Sequence, residues 1–507
     1  MNEKDFLRFA SPNEQRTITR KDLGLSDAVT IGAVYTFPSS FDSTSPRSYF
    51  GPLASCLKAN PYLSVLLGDE SSDKSWYRTV NTVDPNKHVT ILAVKPAEED
   101  ASSAIQQLLQ DNLDLPFEDD CPPWRLVVLP LGTSTAFLSF AFSHALGDGN
   151  TGFSFHHNFI SALQSDAKTS GPQIIDIPKA PLPEPCDTLS RLTISWTCLL
   201  SAILSPALPT FLSSLLGLHN SSLPDTQTWT GAPVPTARTN RSRVALFTIP
   251  ASDLSQALTV ARSHSTKLTA LTTHLIVRAL TLSLSSSANT NNFIASIPLN
   301  MRPASGMPPF EGGNWVSLVD EKHPSFALPG SQATTGGNKT LPATDIGSGT
   351  GTSPSTDADI LSPAQWTTAA STTRLLAERA GTLHDQPVGL LRYVSSARKW
   401  ALDRLGKKRG VSFEVSNIGV FVPPASTTTA AATGERQGDT KGVGIERVVF
   451  AQPGAFAGPP LQFNLASVKG GDMVGTVTWS AGALGLEGGG GGGGVREQGM
   501  WRYRGRL

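Results

Sequence analysis

The chain has 507 residues, more than one hydrophobic core ordinarily serves, so two domains or two similar halves are expected. Lysine plus arginine and aspartate plus glutamate each total 41, and no long basic run occurs, so a nucleic-acid partner is not expected. The four cysteines lack C-x-x-C spacing, which favours a reducing compartment without disulfides or structural zinc. The charged N-terminal residues contain no apolar segment, so no secretory signal is predicted.

Strand and helix patterns alternate through the first part of the chain. Apolar and polar residues alternate over 27–37 as in a strand, and the helical pattern PRSYFGPLASCLKANPYL follows. A second strand is predicted at 89–94. The segments PPWRLVVLP and AFLSFAFSHAL, joined by the short connection LGTST, then predict a β-hairpin that delivers His144.

The segment with the clearest chemical signal is FAFSHALGDGNTGFSF at 140–155. His144 follows the strand, glycines force a turn, and Asp148 precedes a helical pattern of aromatic residues. A neutral imidazole accepts a proton from an alcohol or amine near pH 7, so a histidine held at a strand end suits general-base catalysis. Such a histidine is by itself more often structural. The aromatic strand before it and the Asp-Gly pair after it favour the catalytic interpretation.

Two interpretations are open for Asp148. Its carboxylate could orient His144 as in a catalytic triad, or it could point away and hold the glycine-rich turn. In the second case it requires a cationic partner, because an unpaired buried carboxylate is costly. Arg302, at the end of the predicted strand IPLNMRP, is the candidate partner. Arg302 could equally be a solvated strand terminus.

Other chemistries lack their sequence patterns. No Gly-x-Ser-x-Gly elbow and no reactive cysteine context occurs, so no acyl-enzyme nucleophile is predicted. His156 and His157 are adjacent and therefore face different directions on a helix, which does not indicate a zinc pair. The polyglycine run at 488–494 lacks the lysine and helix of a phosphate-binding loop. We therefore predict no metal and no resident cofactor.

Residues 186–228 are predicted to connect two halves, 1–185 and 229–507. Within this connector, the stretch 192–218 is apolar and uncharged, and two prolines interrupt it. Its length alone would allow a membrane span, whereas the prolines and scattered hydroxyl residues argue against one. A crossover connector and a segment lying on a membrane surface are the remaining alternatives.

The second half again alternates strand and helix patterns. SRVALFTIP is predicted as a strand, helices begin near Ser252 and Thr266, and NNFIASIPLNMRP is a strand that ends at Arg302. Further strands are predicted at 412–421, 448–450, 462–468 and 475–479. Residues near 328–360, 424–442 and 487–495 are Gly-, Ser- and Thr-rich and are predicted to be disordered insertions, because they cannot bury enough apolar surface to offset ordering entropy.

Several segments together resemble a known enzyme family. HALGDG at 144–149 resembles the His-x-x-x-Asp-Gly motif of the acyl-CoA-dependent acyltransferases, which include chloramphenicol acetyltransferase, peptide-synthetase condensation domains and plant BAHD enzymes. Within this superfamily the chain is most similar to fungal alcohol acetyltransferases. The segments that carry this similarity, in chain order, are ASPNEQRTITRKDLGLSDAVTIGAVYTF, PPWRLVVL, SIPLNMRP, GGNWV, FEVSNIGVF and VGTVTWSAGAL. The DFGWG motif of the plant enzymes is absent.

The resemblance implies an α/β (α+β) fold of two chloramphenicol-acetyltransferase-like halves. Each half would be a mixed β-sheet flanked by helices, with an active-site tunnel between them. His144 would face the tunnel and deprotonate the acceptor for direct attack on the thioester. The resemblance also implies that Asp148 pairs with Arg302 and shapes the loop. Gly149 would permit the turn, and Asn417 would lie near the tunnel on a second-half strand.

The implied activity is transfer of an acetyl or short acyl group from acyl-CoA to a hydroxyl or amine of a lipophilic small molecule. Acetyl-CoA would be a co-substrate in a ternary complex with a monomeric, cytoplasmic protein. Peripheral contact with endoplasmic-reticulum or lipid-droplet membranes through 192–218 is a further expectation. Two alternatives remain: a condensation-type enzyme with a carrier-protein-bound acyl donor, and a catalytically silent relative that binds a ligand or membrane.

Overall fold

The computed structural model describes residues 5–25, 28–93, 100–165, 171–204, 223–237, 241–284, 290–326, 361–424 and 442–485. The predicted insertions at 328–360 and 487–495 lie outside these residues, as does nearly all of the insertion at 424–442. Residues 205–218 of the apolar connector stretch also lie outside them.

Strands and helices alternate along the described chain. The strands are β1 Phe6–Phe9, β2 Val29–Thr36, β3 Val65–Gly68, β4 Trp76–Thr79, β5 Thr82–Val83, β6 Val89–Ile91, β7 Trp124–Pro130, β8 Thr135–Phe142, β9 Ile175–Asp176, β10 Ser242–Ile249, β11 Asn292–Asn300, β12 Val316–Pro324, β13 Phe413–Phe421, β14 Gly444–Ala451, β15 Leu461–Val468 and β16 Met473–Ser480. The α-helices are α1 Pro12–Asp22, α2 Arg47–Ala59, α3 Ala101–Asn112, α4 Gly149–Gln164, α5 Trp196–Leu204, α6 Ala251–Ser263, α7 Leu268–Ser283, α8 Pro363–Ala380 and α9 Ala397–Leu402. Short 3₁₀ helices occupy Pro61–Ser64, Pro85–Lys87 and Pro387–Tyr393.

The first large sheet has the strand order β14-β2-β8-β7-β6. The predicted hairpin is confirmed, since β7 and β8 pair antiparallel from Trp124 opposite Phe142 onward. Helices cover both faces of β8. Phe140 stacks on Phe155 of α4, with ring centroids 3.8 Å apart, while Phe137 packs in the cluster that contains Leu108 of α3. A strand buried on both faces is a rigid support for the residues that follow it.

The second large sheet has the order β10-β16-β15-β13-β11-β12. Phe293 of β11 and Phe413 of β13 pack against Val277 of α7 in its core. The strand β13 runs parallel to both β11 and β15. Its pairing register shifts between Asn417 and Val420, which interrupts the regular ladder at this end of the strand.

One strand crosses between the two parts of the chain. The division at residue 229 places 444–451 in the second half, but β14 pairs antiparallel with β2 of the first sheet. It also contacts the second sheet, where Thr476 Oγ1 donates to Phe450 O at 2.7 Å. Sheet membership therefore does not follow the sequence division, because alternating residues predict a strand without identifying its partner.

The described part of the apolar connector includes the helix α5. Several of its apolar side chains are exposed: Trp196, Leu200, Ile203 and Leu204. No helix within the described ranges has both the length and the apolar character needed to cross a membrane. Contact with a membrane surface stays a prediction.

Candidate active site

The turn after β8 fixes the position of His144. Ser143 N donates to Pro123 O at 2.8 Å, so the chain stays anchored to β7 at the strand end. Gly147 follows with a φ of 155° and forms an isolated parallel bridge with Gly313 of the second half. A Cβ at position 147 would lie 3.2 Å from Gly313 O and would collide with α4. This turn therefore requires glycine.

The His144 imidazole is partly buried and held by one asparagine. Its Nδ1 lies 3.3 Å from Asn314 Nδ2, and the histidine also hydrogen-bonds to its own backbone. Burial, followed by the nearby Arg16 charge, lowers the pKa of His144 to about 4. The ring is thus neutral near pH 7, and Nε2 is the nitrogen that Asn314 leaves unengaged.

His144 lies on the wall of a cavity of about 380 Å³. Both large sheets contribute to this wall: Val29 and Phe450 belong to the first sheet, and Ser296 and Ser416 belong to the second. A cavity of this size accommodates a small organic ligand. The imidazole is therefore placed where groups from both parts of the chain can surround a substrate. A passage open at two ends stays a prediction.

The Asp148 carboxylate points into the protein rather than toward His144. Its Oδ2 accepts from Arg302 Nη1 and from Trp315 N, both at 2.9 Å. Its Oδ1 accepts from Asn150 N at 3.0 Å and so caps α4. Among the described hydrogen bonds none joins this carboxylate to the His144 ring, so the geometry favours the loop-holding interpretation over the triad.

Arg302 extends this ion pair into the second half. Its side chain is fully buried, and Nε and Nη2 donate to Glu311 O at 3.0 and 2.8 Å. Nη2 also donates to Gly313 O at 3.1 Å, and Nη1 lies 3.3 Å from Asn300 Oδ1. One guanidinium thus joins the start of α4 to the loop between β11 and β12, because its planar donors reach several acceptors at once.

Gly149 and Asn417 meet where α4 approaches β13. Gly149 is the first residue of α4, and a Cβ there would collide with the Ile418 side chain. Asn417 lines the cavity. Its Nδ2 donates to Thr269 Oγ1 at 3.2 Å, and its Oδ1 accepts from Gly419 N at 2.9 Å. The structure therefore brings all five residues singled out in the sequence to one region.

A cluster of metal-ligating side chains is found among the described residues at Glu118, Asp120 and Cys121. The first two are exposed, and Asp120 pairs with Lys87 at 2.8 Å. None of the three lines the cavity. Exposed acidic groups of this kind do not indicate a metal centre.

Residues 95–304 match the family model for alcohol acetyltransferase. The resemblance of this chain to the alcohol acetyltransferases is therefore confirmed. The matched range of this alcohol acetyltransferase-like chain contains His144, Asp148, Gly149 and Arg302.

Curated relatives agree with the family match. The chain is 31% identical over 138 residues to a probable alcohol acetyltransferase, FCK4, of Fusarium pseudograminearum, covering 27% of this chain and 25% of that protein. It is also 31% identical over 80 residues to a probable alcohol acetyltransferase, crmB, of Aspergillus fumigatus, covering 15% and 17%. An uncharacterized protein of Schizosaccharomyces pombe is 25% identical over 199 residues, covering 39% and 41%. The chain thus covers less than half the length of each of these relatives.

Solved structures show the fold. The trichothecene 15-O-acetyltransferase TRI3 from Fusarium sporotrichioides superposes with a TM-score of 0.61 at 11% identity, covering 94% of this chain and 90% of that one. The starter condensation domain of rhizomide synthetase, solved with C8-CoA and Leu-SNAC, gives 0.53 at 10% identity, covering 95% and 90%. The expected mixed α/β fold of this alcohol acetyltransferase-like chain is confirmed.

Sequence reasoning assigned no role to three residues that build this site. Asn314 and Trp315 lie in GGNWV, which was noted only as part of the resemblance. Asn314 contacts His144 through its side chain, and Trp315 donates its backbone N–H to Asp148. The third is Arg16, whose charge acts on His144. The sequence shows that Asn314 follows two glycines, but only the fold shows that it lies opposite the histidine loop.

Replacing Asn314 with alanine is expected to lower kcat for acetyl transfer by about 3–10-fold, the value of one orienting hydrogen bond. The thermal midpoint should change little, because Asn314 faces the cavity. Steady-state kinetics with acetyl-CoA and melting curves measure both quantities. Asn158→Ala on α4, a partly buried position outside the cavity wall, is the matched control. A stability loss without any rate loss would contradict the orienting role.

Proposed function

We propose that this chain is a CoA-dependent acyltransferase that transfers an acetyl or short acyl group to a hydroxyl or amine of a small molecule. The single observation that carries this proposal is the neutral imidazole of His144 on the wall of a cavity formed by both large sheets. The family match supports acyl transfer as the reaction class.

The proposed reaction is a direct transfer within a ternary complex. His144 Nε2 accepts the proton of the acceptor hydroxyl as the acceptor oxygen attacks the thioester carbonyl carbon. The resulting tetrahedral intermediate collapses, the carbon–sulfur bond breaks, and the imidazolium returns the proton to the departing CoA thiolate. Base catalysis through Nε2 requires the tautomer with the ring proton on Nδ1. In that tautomer the Asn314 side-chain amide presents its oxygen, instead of Nδ2, to Nδ1 and accepts this proton.

The low pKa of His144 sets the expected pH dependence. The ordinary histidine pKa is about 6.5, and burial followed by the Arg16 charge lowers it to about 4. The unprotonated base is active, so kcat/KM should stay constant from pH 8 down to about pH 5.5 and fall to half near the lowered pKa. Initial rates across this range measure the profile, and a midpoint near 6.5 would contradict the assignment.

Folding must be separated from catalysis in this pH experiment. Burial also lowers the pKa of His156 and of His274 to about 4. The unfolded chain therefore binds more protons than the folded chain between about pH 6.5 and pH 4, so stability decreases as the pH falls through that window. Rates should be taken directly after a pH jump, with circular dichroism recorded on the same samples.

Labelled acetyl-CoA offered with a panel of lipophilic alcohols and amines, both neutral and carboxylate-bearing, tests the proposed activity. Labelled ester or amide is the expected product. Transfer only from an acyl-carrier protein, and not from free acetyl-CoA, would favour the condensation-type alternative. Binding of acetyl-CoA without transfer to any acceptor would favour the catalytically silent alternative.

A further inference from the structure

Two arginines of α1 face the cavity that holds His144. Arg16 and Arg20 are four residues apart, and both line the cavity wall. Arg16 donates from Nε and Nη2 to Asn13 Oδ1 at 3.3 and 3.0 Å. Within the part of the chain that the structure describes, neither guanidinium has a carboxylate in ion-pair contact, and Arg20 has no hydrogen bond through its side chain.

The nearby acidic side chains of α1 and the histidine loop are engaged elsewhere. Glu14 on α1 forms an ion pair with Arg8 at 2.7 Å. Asp148 forms its ion pair with Arg302. These two carboxylates therefore do not neutralise the pair of guanidinium groups on the cavity wall.

Glu414 is the other acidic residue on this wall. It accepts a hydrogen bond from Gln452 Nε2 at 3.1 Å, and burial raises its pKa. Asp187, outside the cavity wall, also acts on Arg16 and accepts from Asn13 N at 2.7 Å. On the wall itself, two guanidinium groups face one carboxylate that is not already in an ion pair.

This charge arrangement is unfavourable without a ligand. Burial first, and the charge of Arg20 second, lower the pKa of Arg16 to about 10. Burial and the charge of Arg404 lower the pKa of Arg20. Like charges in a poorly solvated site are costly, and an anion between them would be held by charge-assisted hydrogen bonds. The two side chains are therefore suited to binding an anionic group.

The position of the pair distinguishes the acceptor from the acyl donor. In CoA, thirteen bonds separate the thioester sulfur from the nearest phosphorus, a reach of about 15 Å in an extended chain. An extended donor therefore places its nearest phosphate well away from a thioester held at His144, whereas Arg16 and Arg20 share the cavity wall with His144.

We infer that the acceptor carries an anionic group, for which a carboxylate is the fitting chemistry, and that Arg16 and Arg20 bind it. This inference rests on the proposed function and narrows its acceptor to a hydroxy or amino acid. Leu391 and Trp400 contribute apolar surface to the same wall and would contact its hydrocarbon part.

Isothermal titration calorimetry with 3-phenylpropionate and its neutral isostere 3-phenylpropanamide tests this inference on the full chain. The carboxylate is expected to bind at least about tenfold more tightly than the amide. In Arg20→Gln and in Arg16→Gln this preference should fall to about twofold or less. Arg20→Lys should retain part of it, because it keeps the charge and loses the planar donors.

Arg262→Gln is the matched control, an exposed arginine in the last turn of α6, as Arg20 is in the last turn of α1. It should leave the preference unchanged. CoA affinity should change by no more than about twofold in Arg20→Gln. Loss of CoA affinity with an unchanged carboxylate preference would assign the arginines to the donor and overturn the inference.

Equal binding of the two probes, or no binding of the carboxylate up to about 10 mM, would also overturn it. Neither probe has a hydroxyl or amine that accepts an acyl group, so this result is independent of acyl transfer. A preference for the carboxylate in a protein that transfers no acetyl group would contradict the proposed function alone.

Discussion

His144→Ala is expected to lower kcat for acetyl transfer by about 10²–10⁴-fold, the usual contribution of a general base. The His144 ring lies on the cavity wall, whereas Asp148 of the same turn is held in an ion pair with Arg302. Because the pKa of His144 is lowered, its neutral form predominates at pH 7. Acetyl-CoA binding should persist, because positioning of the donor does not require the base. Kinetics with labelled acetyl-CoA, calorimetric titration of CoA and a melting curve measure the three quantities.

His157→Ala supplies the matched control. This histidine lies on α4, where its ring packs against Phe310 with centroids 4.7 Å apart, and it does not line the cavity. Its removal should leave kcat within about twofold of the original, since the packing contacts and the hydrogen bond with Asn158 that it loses lie outside the cavity wall. A folded His144→Ala protein that retains more than about a tenth of the original kcat would show that another group removes the proton.

The hairpin and the motif after it were predictable because local patterns determine them. Residues that alternate along β7 and β8 indicate strands, and glycines after His144 indicate the turn. The need of a buried carboxylate for a cation also made Arg302 a candidate for Asp148. In the structure Arg302 Nη1 lies 2.9 Å from Asp148 Oδ2.

The helix α1 escaped prediction because its buried side is polar. Asn13, Glu14 and Gln15 are buried there through hydrogen bonds, so no apolar stripe marks the helix. Its sequence signal is a capping box, in which Ser11 and Glu14 bind each other's backbone N–H groups. Because the helix was not predicted, the sequence did not show that Arg16 and Arg20 lie on the same helix face, toward the cavity. The pairing of β14 with β2 has no local signal at all.

Arg302→Ala is expected to lower the free energy of unfolding by about 3–5 kcal/mol, because it leaves the buried Asp148 carboxylate without its cation. Three backbone and side-chain acceptors would also lose donors: Glu311 O, Gly313 O and Asn300 Oδ1. Asp148→Asn should cost a comparable amount. Urea unfolding at pH 7 measures both losses. The rate should fall as well, since the ion pair positions the loop that carries His144.

The double variant distinguishes a true pair from two independent losses. If Asp148 and Arg302 act together, the combined substitution should cost at least about 1 kcal/mol less than the sum of the single ones. Lys399→Ala is the control, since its ion pair with Asp403 is exposed and should contribute less than about 0.5 kcal/mol. Additive losses, or full stability with reduced rate in both single variants, would show that the pair does not hold the two parts of the chain together.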